Sequence, residues 1–337
     1  MPNQLQNGAA VSDAVRRLLA AGLAGYEVAD AMTSLIAVTS LLSLNNLDNW
    51  ERKIRAELWA MEQRLSPTRW NASKTPARFA SWLDLCSGDG FKRERILRTL
   101  SEGAPNGFFC SLALRRLNDW VPQVRAAARE HLPHIVERSN PERVVDALWS
   151  ALAHCASWGR MQDADRQILA DLISIKQVAL ALKSRIMKAT AGPVTQILSQ
   201  AGRAPALDGW LGEFASAAIQ PSVRAKAYRC LLEGRMVWVV GRKWKWTDLA
   251  WCKGRFEPVL GERALSSQSG HFVANLRMAS VDRSPLVRRV AAELLIKHLS
   301  SIGADAPRFA EQLASDPSAY VAERGRFALA RLGGHAT

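Results

Sequence analysis

Apolar positions recur at steps of three and four along most of this chain, the spacing that lines them up on one face of an α-helix. Val124, Ala127, Ala128 and Leu132, with His131 beside them, form one such stripe, and Val287, Val290, Ala291 and Leu294 form another. The stretches 141–156, 165–178 and 178–190 carry the same period, while 18–44 and 50–65 read as amphipathic or buried helices. Ser12 or Asp13 is the expected cap of the first helix. One stretch departs from this period: Met236 to Val240 reads as a short strand with Gly241 as its turn. Ser66-Pro67 through Pro76 reads as a connector, separating an N-terminal helical segment, 1–66, from the rest, 77–337.

A phrase returns four times: NDWVPQVRAAARE from Asn118, QPSVRAKAYRCL from Gln220, DRSPLVRRVAAELL from Asp282 and DPSAYVAERGRFAL from Asp316. Each runs a turn containing Pro or Asp into Val and then small residues. A cap-type residue just before proline, as at Ser284-Pro285 and Asp316-Pro317, predicts a helix start, because the missing N–H costs nothing in a first turn. The anchor valines fall at 124, 223, 287 and 321, and the last interval of 34 residues fits one helix pair. The longer interval from 124 to 223 predicts about two units that lack the phrase. A helix pair cannot bury its apolar face alone, so neighbouring pairs must stack and share a core.

The phrase resembles the HEAT-repeat family, in which a turn Asp pairs with an Arg six residues later to form a ladder along the stack. Asp119 with Arg125 and Asp282 with Arg288 fit that spacing, whereas Ala218 with Arg224 and Asp316 with Ala322 do not. The resemblance covers roughly the C-terminal two thirds of the chain. It implies an all-α fold, an α-solenoid of HEAT-like helix pairs over 77–337 that the N-terminal helices continue.

Charge adds a partner class. Lys and Arg number 45 against 31 Asp and Glu, a formal net charge of +14, which favours a polyanion such as DNA or RNA. Five cysteines form no CxxC pair, so reduced thiols are expected. His131 and His134 flank Pro133 without a third ligand at metal spacing, and no nucleotide-cradling glycine loop, GxSxG, HExxH or His/Cys nucleophile pattern is present. The expectation is no metal and no cofactor, with Gly88-Asp89-Gly90 a turn. The apolar stretch 31–44 is shorter than a membrane span and the first residues lack the pattern of a secretory signal, so the expected location is cytoplasmic, away from membranes.

Charge and aromatics coincide in an insertion, 236–262, that interrupts the phrase between its second and third copies. Trp238, Trp244, Trp246 and Trp251 interleave with Arg242, Lys243, Lys245, Lys253 and Arg255, and Asp248 is the acidic residue among them. Cations neutralise phosphates and flat rings stack on exposed bases, so this composition suits nucleic acid. The competing reading packs the tryptophans against the helices and leaves the cations in water. Basic residues at comparable helix positions make a second candidate surface: Arg129, Arg289 and Arg326, with Arg224, Lys226 and Arg324 in the same pattern, and with Arg125 and Arg288 as expected ladder partners.

Trp244-Lys-Trp-Thr-Asp248 and the later Pro285-Leu-Val-Arg-Arg-Val-Ala resemble the two helix motifs of HEAT-like DNA glycosylases, although Val287 stands where that family's second motif carries an aromatic. The resemblance implies base excision from duplex DNA, with Asp248 as the catalytic carboxylate, Trp244 and Trp246 against the sugar or base, and Arg288 or Arg289 on phosphate. The alternative is a non-catalytic HEAT-repeat scaffold that binds protein or nucleic acid. In either case a monomer is expected.

Overall fold

Proline or a short polar cap opens the α-helices starting at Gly90, Gly107, Pro122, Pro141, Pro221 and Pro285. The computed structural model describes residues 2–65, 81–266 and 271–333, and two compact units divide it, 1–178 and 179–337. The first contains α1 (Pro2–Ala24), α2 (Val28–Ser40), α3 (Leu47–Leu65), α4 (Gly90–Thr99), α5 (Gly107–Arg115), α6 (Pro122–Glu137), α7 (Pro141–His154) and α8 (Asp163–Ser174). Here α1 packs on α2 and α3, α4 on α6, α5 on α7, and α6 on α8. Asp89 caps α4 by accepting the Phe91 N–H, so the Gly-Asp-Gly turn is a helix start. The expected start at Ser12 or Asp13 is not one: α1 runs through both, Ser12 is buried, and Asp13 pairs with Arg17 one turn on. The expected connector through Pro76 lies outside the described residues.

After α9 (Lys176–Lys188), the second unit contains α10 (Val194–Ala201), α11 (Leu211–Ala217) and α12 (Pro221–Glu233). An antiparallel hairpin follows, β1 (Arg235–Asp248) with β2 (Lys253–Ala264), and then α13 (Phe272–Ser280), α14 (Pro285–Lys297), α15 (Leu299–Ile302), α16 (Ala306–Ala314) and α17 (Ala319–Gly333). α12 packs on α14 and α14 on α17, while α11, α13 and α16 each pack on the helix that follows in their pair. The chain is thus mostly helical, and the hairpin is the one sheet among the described residues. Val124, Val223, Val287 and Val321 are all fully buried, which explains why the phrase keeps them. No single described helix is long and apolar enough to cross a membrane. All five cysteines are free; burial pushes the Cys110 thiol up to about 12 and that of Cys230 up to about 11.

The turn aspartates do not pair as the six-residue spacing implied. Arg224 and Arg288 instead each donate to a backbone carbonyl six residues behind and to the aspartate of a later turn. Arg224 donates Nη1 to the Ala218 carbonyl at 2.9 Å and forks onto both oxygens of Asp282 at 2.9 Å. Arg288 repeats this with the Asp282 carbonyl at 2.9 Å and Asp316 at 2.6 and 2.9 Å. Arg93, which the phrase did not reveal, does the same with Ser87 and Asp119. Arg125 donates to the Asp119 carbonyl, but its Nε stands 3.9 Å from Asp165, whose Oδ1 accepts from Arg129 at 2.6 Å. The aspartates also hold the turns: Asp119, Asp282 and Asp316 each accept the N–H two residues on. Pro317 accordingly lies before α17 rather than in its first turn. Arg116 bridges Asp119 to the buried Glu51, tying the first rung to α3.

Breaking one partner of a buried pair leaves an uncompensated charge. Asp282→Ala should therefore destabilise the second unit by about 3–5 kcal/mol, read by chemical denaturation, and Arg224→Ala in the same background should add little. Full additivity of the two would show that they do not form a rung. The hydrogen bonds from Arg288 hold the Asp316 carboxyl below its ordinary range despite partial burial. That stabilisation is complete above the unfolded pKa of about 4 and is lost as pH falls through the lower folded value. Asp316→Asn should remove this part of the acid unfolding slope.

Candidate nucleic-acid interface

The hairpin is inserted without disturbing the helical spacing. Arg224 and Asp282 are 58 residues apart; without the thirty residues from 235 to 264 they would be 28 apart, the separation of Arg288 and Asp316. Gly234 ends α12 with φ 66°, a left-handed conformation that glycine adopts without strain, and turns the chain into β1. The strand then runs through Gly241, expected as its turn, to Asp248. Alternating Trp and Lys at 243–246 is a period-two pattern, and it excludes the helix that the glycosylase motif needs.

Buried polar contacts clamp the hairpin base. Arg263 forks onto Asp208 at 2.6 and 2.8 Å and donates to the carbonyls of Gly202 and Ala204. Asp208 also accepts from the Ser266 N–H and hydroxyl. Burial of Asp208 works against its ionisation, but these donors outweigh it and hold the carboxyl below its ordinary range. Gln200 donates to the Val239 carbonyl at 2.7 Å and Lys226 to that of Val237 at 2.6 Å, so Lys226 is an anchor rather than a ligand cation. Met236 is fully buried against Gly202 and Cys230.

Beyond the base the ribbon stands in solvent with two unlike faces. The register pairs Arg242 with Pro258, Trp244 with Phe256 and Trp246 with Gly254, which puts these side chains on one face. Lys243 opposite Glu257 and Lys245 opposite Arg255 occupy the other. Trp244 meets Phe256 at 5.0 Å between ring centroids and Trp246 at 5.5 Å, both edge to face. A side chain at residue 254 would come within 2.6 Å of the Trp244 indole, so Gly254 seats that ring. The rings are nonetheless exposed: Trp244 by 43%, Trp246 by 52%, Phe256 by 64% and Trp251, at the tip, by 74%. The tryptophans beyond the base thus do not pack against the helices. Trp238 does differ, with its indole nitrogen buried near Gly261.

The expected cations divide by their partners. Lys245 and Arg255 both pair with Glu257, at 3.2 and 2.9 Å. Lys253 lies 5.9 Å from the Trp251 ring centroid. Arg242 and Lys243 have no side-chain partner among the described residues. Of the helical arginines, Arg288 is consumed by its rung, Arg129 by Asp165, and Arg289 and Arg324 share Glu293, while Arg326 is exposed. Asp248 sits at the hairpin tip, where its Oδ1 accepts the Trp251 N–H at 3.1 Å and closes the turn. No group of described His, Cys, Asp or Glu residues is arranged to hold a metal ion.

The sequence missed Phe256, whose isolated position gave no pattern until the register paired it with Trp244. It also missed the Asp208–Arg263 clamp, whose partners are 55 residues apart. No protein-family model, curated protein or solved structure matches the chain.

Arg263→Ala should loosen the hairpin while leaving the helices folded. Amide exchange should accelerate at 235–264 with little change in α14 and α17; equal acceleration throughout would mean that the clamp serves the whole unit instead.

Proposed function

We propose that this chain is a HEAT-like helical-repeat protein that binds nucleic acid through the inserted hairpin, without base excision. The solenoid part of the reading is supported by the arginine rungs, which recur at 93, 224 and 288 with one geometry. The binding part is carried by one observation: exposed aromatic rings stand together on an anchored ribbon beside cations that lack acidic partners. Isolated exposed apolar residues are ordinary, but a cluster of large exposed rings is a mark of an interaction site. The overall charge of +14 favours an anionic partner over an arbitrary protein.

Excision of a base requires a carboxylate placed beside the sugar in a water-poor site. Asp248 instead closes an exposed turn, and Trp244 and Asp248 lie on a strand, so the residues that carried the enzyme resemblance serve the ribbon's architecture. A protein-binding scaffold is the outcome if nucleic acid fails to bind.

Binding of a fluorescent oligonucleotide should weaken as salt rises, because cations that neutralise phosphates release counterions. Replacing Arg242 and Lys243 by Ala should lower the slope of log K against log salt by about one for each phosphate that is no longer neutralised. Lys245→Ala should change it less, since Glu257 already neutralises that charge. Absence of binding at low salt would overturn the proposal. The wild-type protein should leave no alkali-labile sites in DNA carrying alkylated bases.

A further inference from the structure

The separation of rings and charges onto opposite faces distinguishes between forms of nucleic acid. In a duplex the base faces are hidden within the stack, and a protein ring reaches them only by wedging base steps apart. The grooves present base edges and phosphates instead, which are read by donors and cations. A ribbon suited to a groove would therefore aim its cations toward the ligand. Here the face defined by Trp244, Trp246 and Phe256 carries a single register-placed cation, Arg242, and it lies at the end nearer the helices. Lys243, Lys245 and Arg255 lie on the other face, and the last two are already paired with Glu257.

We infer that the aromatic face of the hairpin is a stacking platform for unpaired bases, so that the preferred ligand is a single-stranded stretch of nucleic acid. This rests on the nucleic-acid reading above and narrows it. Trp244, held over Gly254, fixes the platform, while the more exposed Trp246, Phe256 and Trp251 offer their ring surfaces to successive bases. Because every base has a flat face, such a platform tolerates any sequence. Arg242, at the helix-proximal end of this face, is placed to meet a phosphate of the same strand, while Lys253 lies beside Trp251 at the tip. With so few uncompensated cations, affinity should come more from stacking than from counterion release.

The full chain is titrated with fluorescent oligodeoxythymidylate and, separately, with a mixed-sequence duplex of the same length at one low salt concentration. The single strand should bind at least tenfold more tightly and should quench tryptophan fluorescence. Trp246→Ala and Trp251→Ala should each weaken single-strand binding by about fivefold or more, the scale of losing one stacked base, while Trp246→Phe should restore much of the affinity. Both positions are exposed, and helical circular dichroism confirms that each variant is folded. Equal or tighter binding of the duplex, or alanine variants that bind the single strand as the wild type does, would overturn the inference while leaving nucleic-acid binding intact. Failure to bind either polymer would overturn the wider reading and this one together.

Discussion

A guanidinium held between the carbonyl of its own turn and the carboxylate of a later turn sets the spacing of the helix pairs. Arg224 and Arg288 each use the same fork, and Asp282 serves both rungs, giving its carboxylate to one and its carbonyl to the other. A change in spacing between pairs would break the fork. The cost of leaving such charges buried and unpaired makes the arrangement rigid in register, whatever its net contribution to stability. That constraint explains how thirty residues can be inserted between Arg224 and Asp282 without displacing the rung.

The hairpin repeats the same device at its base. Arg263 reaches Asp208 and nearby carbonyls as the ladder arginines reach theirs, and Met236 fills the apolar space beside it. A two-stranded ribbon alone is at best marginally stable in water. Anchored this way, it can hold Trp244, Trp246, Phe256 and Trp251 in solvent instead of collapsing them onto the helices. The ribbon cations without an acidic partner among the described residues, Arg242, Lys243 and Lys253, are fewer than its composition implies.

Much of the helical fold was legible because buried valines and alanines must recur at the helical period. The three stretches expected as helices between 141 and 190 correspond to α7, α8 and α9, and the insertion expected at 236–262 is the hairpin. The ladder was legible only as a set of residue types. Its partners lie 26, 28 or 58 residues apart, so spacing within one phrase suggested the wrong pairs. Arg93 escaped notice because its turn contains Ser87, whose carbonyl does the work that any residue could do. At the candidate site the residue types pointed to the hairpin, but the division of Trp and Lys between faces depends on strand register, which follows from pairing with a strand the periodicity did not reveal. The Trp-x-x-x-Asp spacing carried no helix because alternation prevailed over it.

The most direct measurement is ultraviolet crosslinking of a single-stranded oligonucleotide to the full chain, with the adducts located by mass spectrometry. Adducts should concentrate on Trp246, Trp251 and Phe256 of the hairpin. Adducts confined to the helices, for example around Arg289 and Arg326, or no adducts above background, would contradict the account.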